Sequence, residues 1–419
     1  MGRVANSLQR TEVHRRRVFY IPGYDPIPPR RYRELYRKEA AAQAEISGYE
    51  IALSAKASKS GPYGWQVQSA IDKAKTATDV EVLVWSDIVR DSMESSILAT
   101  YLQMVRTAWI YISTGTLRRL MRLRKGPVIA ALYPIGMLLV QALLAALVTW
   151  GVGRAVIALA EHFLLFGAFV GMAGLGLGLL AGMVLMRWFK KMDGKFFAYY
   201  LMHDYAYSAS SRGAYSSALE GRMAEFTTLI RDALADDTMD EVLVVGHSSG
   251  AHIAVSVLSD LIRGGLADNH PPLSFLSLGQ VVPMVSFLPK AYRLRADLKF
   301  LSQSDELAWV DVTAPSDGCA FALCDPVSVS GLASAAKRWP LVFSAAFTQT
   351  LSPQRWAELR WRFFRLHFQY LCAFDRPGDY DYFQITAGPL TLRERYRERQ
   401  PSRSRIDETV SKYTAVAPL

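Results

Sequence analysis

Two stretches of this chain contain no charged residue: residues 127–150 (PVIAALYPIGMLLVQALLAALVTW) and residues 163–186 (FLLFGAFVGMAGLGLGLLAGMVLM). As a helix, each would measure about 36 Å, enough to cross the hydrocarbon core of a bilayer. Backbone in lipid must satisfy its own hydrogen bonds, so two such neighbouring runs predict a pair of spanning helices. Arg118, Arg119, Arg122, Arg124 and Lys125 precede the first run, and Arg187, Lys190, Lys191 and Lys195 follow the second. Between them Arg154 and Glu161 nearly cancel. The positive-inside rule then puts both outer ends, and with them both termini, on the cytoplasmic side of the inner membrane, with a short loop opposite. Trp150 and Trp188 suit the interfacial belt. Gly174, Gly178 and Gly182 form a small-residue stripe that lets another helix approach closely. Its partner is either Ala142, Ala145 and Ala146 of the first helix or a second copy, giving a homodimer. A net charge of +10 beside apolar segments fits an anionic bilayer surface. No nucleic-acid module accompanies it, so nucleic acid is not an expected partner.

The second constraint is Gly246-His247-Ser248-Ser249-Gly250, directly behind the apolar run Val242-Leu243-Val244-Val245. Four β-branched or leucine residues in a row suit a strand buried on both faces of a parallel sheet. Beyond the turn Ala251, Ala254, Val255, Leu258, Leu261 and Ile262 recur at helical spacing until Gly264-Gly265. The pattern predicts strand, tight turn and helix, with Ser248 at the apex. A turn that sharp leaves no room for side chains at positions 246 and 250, and it lifts the hydroxyl clear of the backbone. This stretch resembles the nucleophile elbow, G-x-S-x-G, of the α/β-hydrolase superfamily.

Elsewhere strands and helices alternate. Residues 18–21, 80–85, 275–282 and 307–313 read as strands, and 29–57, 92–122 and 196–234 as helices. The alternation predicts an α/β domain with a mostly parallel, doubly wound sheet that the membrane hairpin interrupts rather than divides. The expected segments are 1–126, the hairpin 127–186, 187–390 with the serine, and a charged, poorly ordered tail over 391–419. Residues 1–17 are polar and basic, without the apolar core of a cleaved signal. Cys319, Cys324 and Cys372 lack the spacing of a zinc site or a disulfide framework and read as small buried residues. His203-Asp204 reads as a polar helical surface.

In α/β-hydrolases the acid and the base follow the serine in the order Ser, Asp/Glu, His. Only His252, His270 and His367 follow Ser248. His252 lies too close along the elbow helix to turn back, and His270 precedes any suitable acid. His367 remains as the base. For the acid, the loop residue Asp317 ranks ahead of Asp311, within a strand, and Asp325, before Pro326. The Ser249 N–H is one expected oxyanion donor. The loop at Gly23 and Tyr24, after the first strand, is the other, with a plain β-turn as its alternative. Together with His367-x-x-Tyr370, these residues resemble the class 3 lipase-like serine hydrolases within the superfamily, across residues 18–390. The resemblance implies cleavage of an ester or lipid substrate through an acyl-enzyme on Ser248, with no metal and no organic cofactor. The alternative is a catalytically silent α/β-hydrolase scaffold acting as a membrane interaction protein. Two spans without an expected intramembrane charge oppose a transporter.

Overall fold

The computed structural model describes residues 12–25, 27–56, 61–93, 96–163 and 167–418; most of the basic segment 1–17 lies outside them. Among the described residues eight strands form one sheet. They are β1 (Arg15–Ile21), β2 (Glu50–Ala55), β3 (Gly64–Ile71), β4 (Ala74–Val82), β5 (Glu241–His247), β6 (Leu273–Leu278), β7 (Leu307–Thr313) and β8 (Leu341–Ser344). Their order is β2-β3-β4-β1-β5-β6-β7-β8. From β4 to β8 every pairing is parallel; β2 and β3 add an antiparallel edge. The principal helices are α1 (Arg30–Ser47), α2 (Ile97–Ser113), α3 (Thr116–Leu123), α4 (Lys125–His162), α5 (Ala168–Lys191), α6 (Ala198–Ser210), α7 (Ser217–Leu234), α8 (Gly250–Arg263) and α9 (Tyr292–Gln303).

Side-chain alternation along the strands feeds two cores. Phe19, Ile21, Val242 and Val244 pack on one face with Phe226, Leu258 and Leu298 of α7, α8 and α9. Val18, Tyr20, Leu243 and Val245 pack on the other with Tyr36 of α1, Phe347 and Tyr370. With both faces covered, β5 is buried along its whole length, which is why it reads as an unbroken apolar run. The molecule is α/β, with a mostly parallel sheet.

Several expected boundaries move. The helix expected over residues 29–57 ends at Ser47, because Gly48 takes φ +71° and caps it on the Ala44 carbonyl. The chain then turns into β2. The expected helix over residues 196–234 is two helices, α6 and α7. The strand expected over 275–282 stops at Leu278, and Gly279 turns away with φ +53°. The segment 391–419 is docked through residue 418 rather than loose. Leu392 N–H donates to the buried Glu241 carboxylate, Ser402 N–H to the Val342 carbonyl, and Ile406 N–H to the Leu323 carbonyl. Arg295 Nε donates to the Ala415 carbonyl. The chain is led there by Arg16, which pairs with Glu241 at 2.6 Å and donates to the carbonyls of Gly388 and Leu390.

Helices α4 and α5, 38 and 24 residues long, are long and apolar enough to cross a membrane. They pack antiparallel through the glycine stripe. A Cβ at Gly178 would sit 2.3 Å from the Thr149 carbonyl oxygen, and one at Gly182 would sit 2.2 Å from Thr149 Oγ1. Gly174 meets Gly153 in the same way. The stripe is therefore packed within the hairpin, the first of the two expected alternatives. The partner residues are Ala145, Thr149 and Gly153, not Ala142 and Ala146. Helix α4 continues to His162, so Arg154 and Glu161 lie on its final turns, not in a loop. Leu164–Phe166 of the second run lie outside the described residues. The start of the first run also departs from expectation. Val128 packs with Tyr111 and Leu120, and Leu138 with Met104 and Met202, so the foot of α4 is built into the body. Beyond it, Leu143, Leu147, Trp150, Phe169 and Leu175 are exposed.

Candidate active site

Strand β5 delivers the chain to Ser248, whose φ is +57°. A non-glycine residue in the left-handed region is strained, and here the packing on either side enforces it. A Cβ at Gly250 would lie 2.1 Å from the Ile21 carbonyl oxygen, and one at Gly246 would lie 2.8 Å from the Ala251 Cα. The end of β1 and the start of α8 thus touch backbone to backbone around the turn. Ser249 occupies the N-cap position of α8 without a side-chain cap, leaving the first N–H groups of the helix with no acceptor inside it. Ser248 and Ser249 border a cavity holding about 870 Å³ of empty space and open to solvent. Gly23, Tyr24, His247, Asp204 and His367 complete much of its wall.

His367 ends a short helix, Phe363–His367. Its Nδ1 lies 2.7 Å from Asp317 Oδ2. Its Nε2 is buried without a hydrogen-bond partner among the described residues, in the wall it shares with Ser248. Asp317 is fully engaged. Oδ2 also accepts from Tyr370 OH at 3.0 Å, and Oδ1 accepts from the Cys319 N–H at 2.9 Å. Burial would push its carboxyl up, but the charge and hydrogen bond of His367, with the Cys319 and Tyr370 donors, hold it below the usual carboxylate range. Asp317 therefore presents an anion that orients the imidazole with its Nε2 toward the cavity. Such an imidazole can take a proton from a hydroxyl in that space.

The other candidates are committed elsewhere. Asp311 sits in β7 and accepts from Ser277 OH at 2.5 Å; burial pushes its carboxyl up to about 8. Asp325 caps the short helix Pro326–Val329 and pairs with Lys337 at 2.6 Å. His252 meets Tyr215 OH at 3.2 Å, and His270 contacts Glu306 at 3.3 Å. Of the three acids considered, only Asp317 touches His367.

No protein-family model, no curated protein sequence and no solved structure matches this chain. The chemistry must be argued from the geometry. Asp317, Cys319 and His367 do bring three metal-ligating atoms within 4.8 Å of one another. That set fits a metal poorly: the carboxylate oxygens and Nδ1 already bond to protein donors and acceptors. Burial, then the Asp317 charge, pushes the Cys319 thiol well above its ordinary range and away from the thiolate a metal requires.

Two residues of the site had no role in the sequence reading. His247 is buried with its ring centroid 4.8 Å from that of His367. Its Nε2–H donates to the His367 carbonyl at 3.1 Å and so fixes the backbone of His367. Burial, then the nearby His367, pushes the His247 imidazole down to about 3, keeping it neutral. Asp204, expected on a polar surface, instead borders the cavity, because α6 packs against α2 and the foot of α4. Burial pushes its carboxyl up to about 7, with the His367 charge opposing. The signal was present: Tyr200, Asp204 and Ser208 repeat at four-residue spacing and all reach the cavity.

Proposed function

We propose that this chain is an α/β-hydrolase that cleaves carboxylic esters through an acyl-enzyme on Ser248. One observation carries the reading. A serine held in the left-handed conformation on a strand-to-helix turn shares a cavity with an imidazole tied to a buried carboxylate. Ser248 Oγ attacks the ester carbonyl while His367 Nε2 takes its proton. His367 then returns that proton to the leaving alcohol, and water releases the acid by the same route in reverse. A positioned general base contributes about 10²–10⁴-fold. Asp317 holds the imidazolium, His247 holds its backbone, and Tyr370 holds Asp317. The oxyanion accepts from the Ser249 N–H and from the Gly23–Tyr24 loop, each such donor being worth about 10²–10³-fold.

The hairpin α4–α5 anchors the enzyme in the inner (cytoplasmic) membrane. The cations flanking its two outer ends support a body and both termini on the cytoplasmic side. Labelling with a fluorophosphonate probe tests the reading. Wild type labels, Ser248→Ala does not, and His367→Ala labels at least a hundredfold more slowly. A folded wild-type protein that stays unlabelled refutes it and leaves the catalytically silent membrane scaffold.

A further inference from the structure

A second groove, whose roughly 520 Å³ of empty space includes open solvent, shares walls with the serine cavity. Its walls come from Ile112 of α2, Leu120 of α3, Val128, Ala131 and Leu132 at the foot of α4, and Met202 of α6. Tyr111, Tyr205 and Met284 border both spaces. Tyr111 spends its hydroxyl on the Met284 carbonyl at 3.0 Å, so its ring, not its polar end, is left to the cavities. A space walled by such side chains excludes polar ligands and suits a flexible hydrocarbon.

The outer side of this space points to where the hydrocarbon comes from. Ile112 and Leu132 line it and are 61% and 43% exposed. Ile112 ends a stripe along α2 of Leu98, Leu102, Val105 and Trp109, each at least 61% exposed. Leu132 lies on the helix that continues into the exposed apolar surface of the hairpin. A continuous apolar surface of this extent on spanning and flanking helices belongs against acyl chains rather than water.

We propose that the second space holds the acyl chain of an ester lipid drawn from the bilayer, with its carbonyl delivered past Tyr111, Tyr205 and Met284 to Ser248. The inference rests on the esterase reading above. Each methylene buried there favours the longer chain by about fourfold, until the space is filled.

The test uses the full chain in phosphatidylcholine vesicles with p-nitrophenyl esters of increasing acyl length. In the wild type kcat/KM rises steeply from acetate to octanoate; a flat profile overturns the proposal whatever the variants do. Ala131→Trp and Ala108→Trp fill the space from α4 and α2, and each lowers the octanoate-to-acetate ratio at least tenfold. A wild-type ratio in variants that still label with fluorophosphonate overturns it as well. A wild type that neither labels nor hydrolyses any ester defeats the esterase reading instead. For the bilayer route, a palmitate ester is held at fixed mole fraction in the same vesicles. Tenfold dilution of the suspension leaves the rate per enzyme unchanged, and a proportional fall would exclude delivery from the bilayer.

Discussion

Gly23→Ala is the sharpest single perturbation of the site, because it adds one methyl group at a known distance from Ser248, the proposed nucleophile. Gly23 needs no unusual φ, so alanine adds no backbone strain of its own. The new Cβ would stand 2.9 Å from Ser248 Cβ and 3.4 Å from both Ser248 Oγ and the His247 carbonyl oxygen. Ordinary contact begins nearer 3.4–4 Å, so either the loop after β1 or the serine must retreat by about 0.5–1 Å. Overpacking of this size costs about 1–3 kcal/mol, which a chain of ordinary stability survives folded. Catalysis is less tolerant. A displacement approaching 1 Å costs about 10²-fold, and losing one oxyanion donor costs about 10²–10³-fold. The expected result is a folded protein whose ester-cleavage kcat/KM falls by about two to three orders of magnitude. Circular dichroism and a p-nitrophenyl ester assay read the two quantities separately. Gly221→Ala on α7, where nothing lies within 4 Å of the new Cβ, is the control and gains up to about 1 kcal/mol in helix propensity. A folded Gly23→Ala protein with wild-type activity would refute the placement of this loop against Ser248 in the working enzyme.

Three further outcomes are expected. Asp317→Asn leaves the imidazole without its anion and lowers kcat by about 10⁴-fold, whereas Asp311→Asn, replacing a carboxyl that burial already keeps protonated at neutral pH, changes kcat less than tenfold; equal losses on both would contradict the assignment of the acid. Asp204 holds its proton up to about pH 7 when folded, while the unfolded chain releases it near 3.8. Between these values the native state binds the extra proton, so stability falls as pH rises through that window and levels off above it. Asp204→Asn flattens that part of the profile, read as the thermal midpoint against pH; an unchanged slope would show that Asp204 is solvated. Gly178→Ile forces a side chain into the Thr149 carbonyl and lowers the thermal midpoint in detergent, whereas Gly176→Ile, with open space around it, does not.

What could be read from the sequence, and what could not, divides by the range of the interaction. The turn at Ser248 is a local device: an apolar strand, two glycines enforced by backbone contact, and an amphipathic helix, all contiguous. His367 and Asp317 were reachable because chain order and loop position left few competitors. The edge strands were passed over although β3 alternates buried Trp65, Val67, Ser69 and Ile71 with Gln66, Gln68 and Ala70, the period of a strand with one solvated face; β2 was hidden because the helix expected over residues 29–57 ran through it. The docked C-terminal segment depends on Arg16 and Glu241, whose pairing joins residues far apart in sequence; before the fold is known, its arginines look like a solvated tail. The foot of α4 was misread for a deeper reason. Hydropathy measures avoidance of water and does not distinguish lipid from protein interior, so Val128 and Ala131 look the same facing either. Only the register of the hairpin separates them. With Ala145, Thr149 and Gly153 set against Gly182, Gly178 and Gly174, α5 ends level with about Gly136, and the inward face of α4 before that point, Val128 and Ala131 among it, must find its apolar partners in the body. It finds them in the wall of the cavity beside Ser248. One uninterrupted apolar helix can therefore present an exposed apolar surface along its upper length and a cavity wall at its foot, so that under the proposed anchoring the position of the bilayer is coupled to the position of the serine.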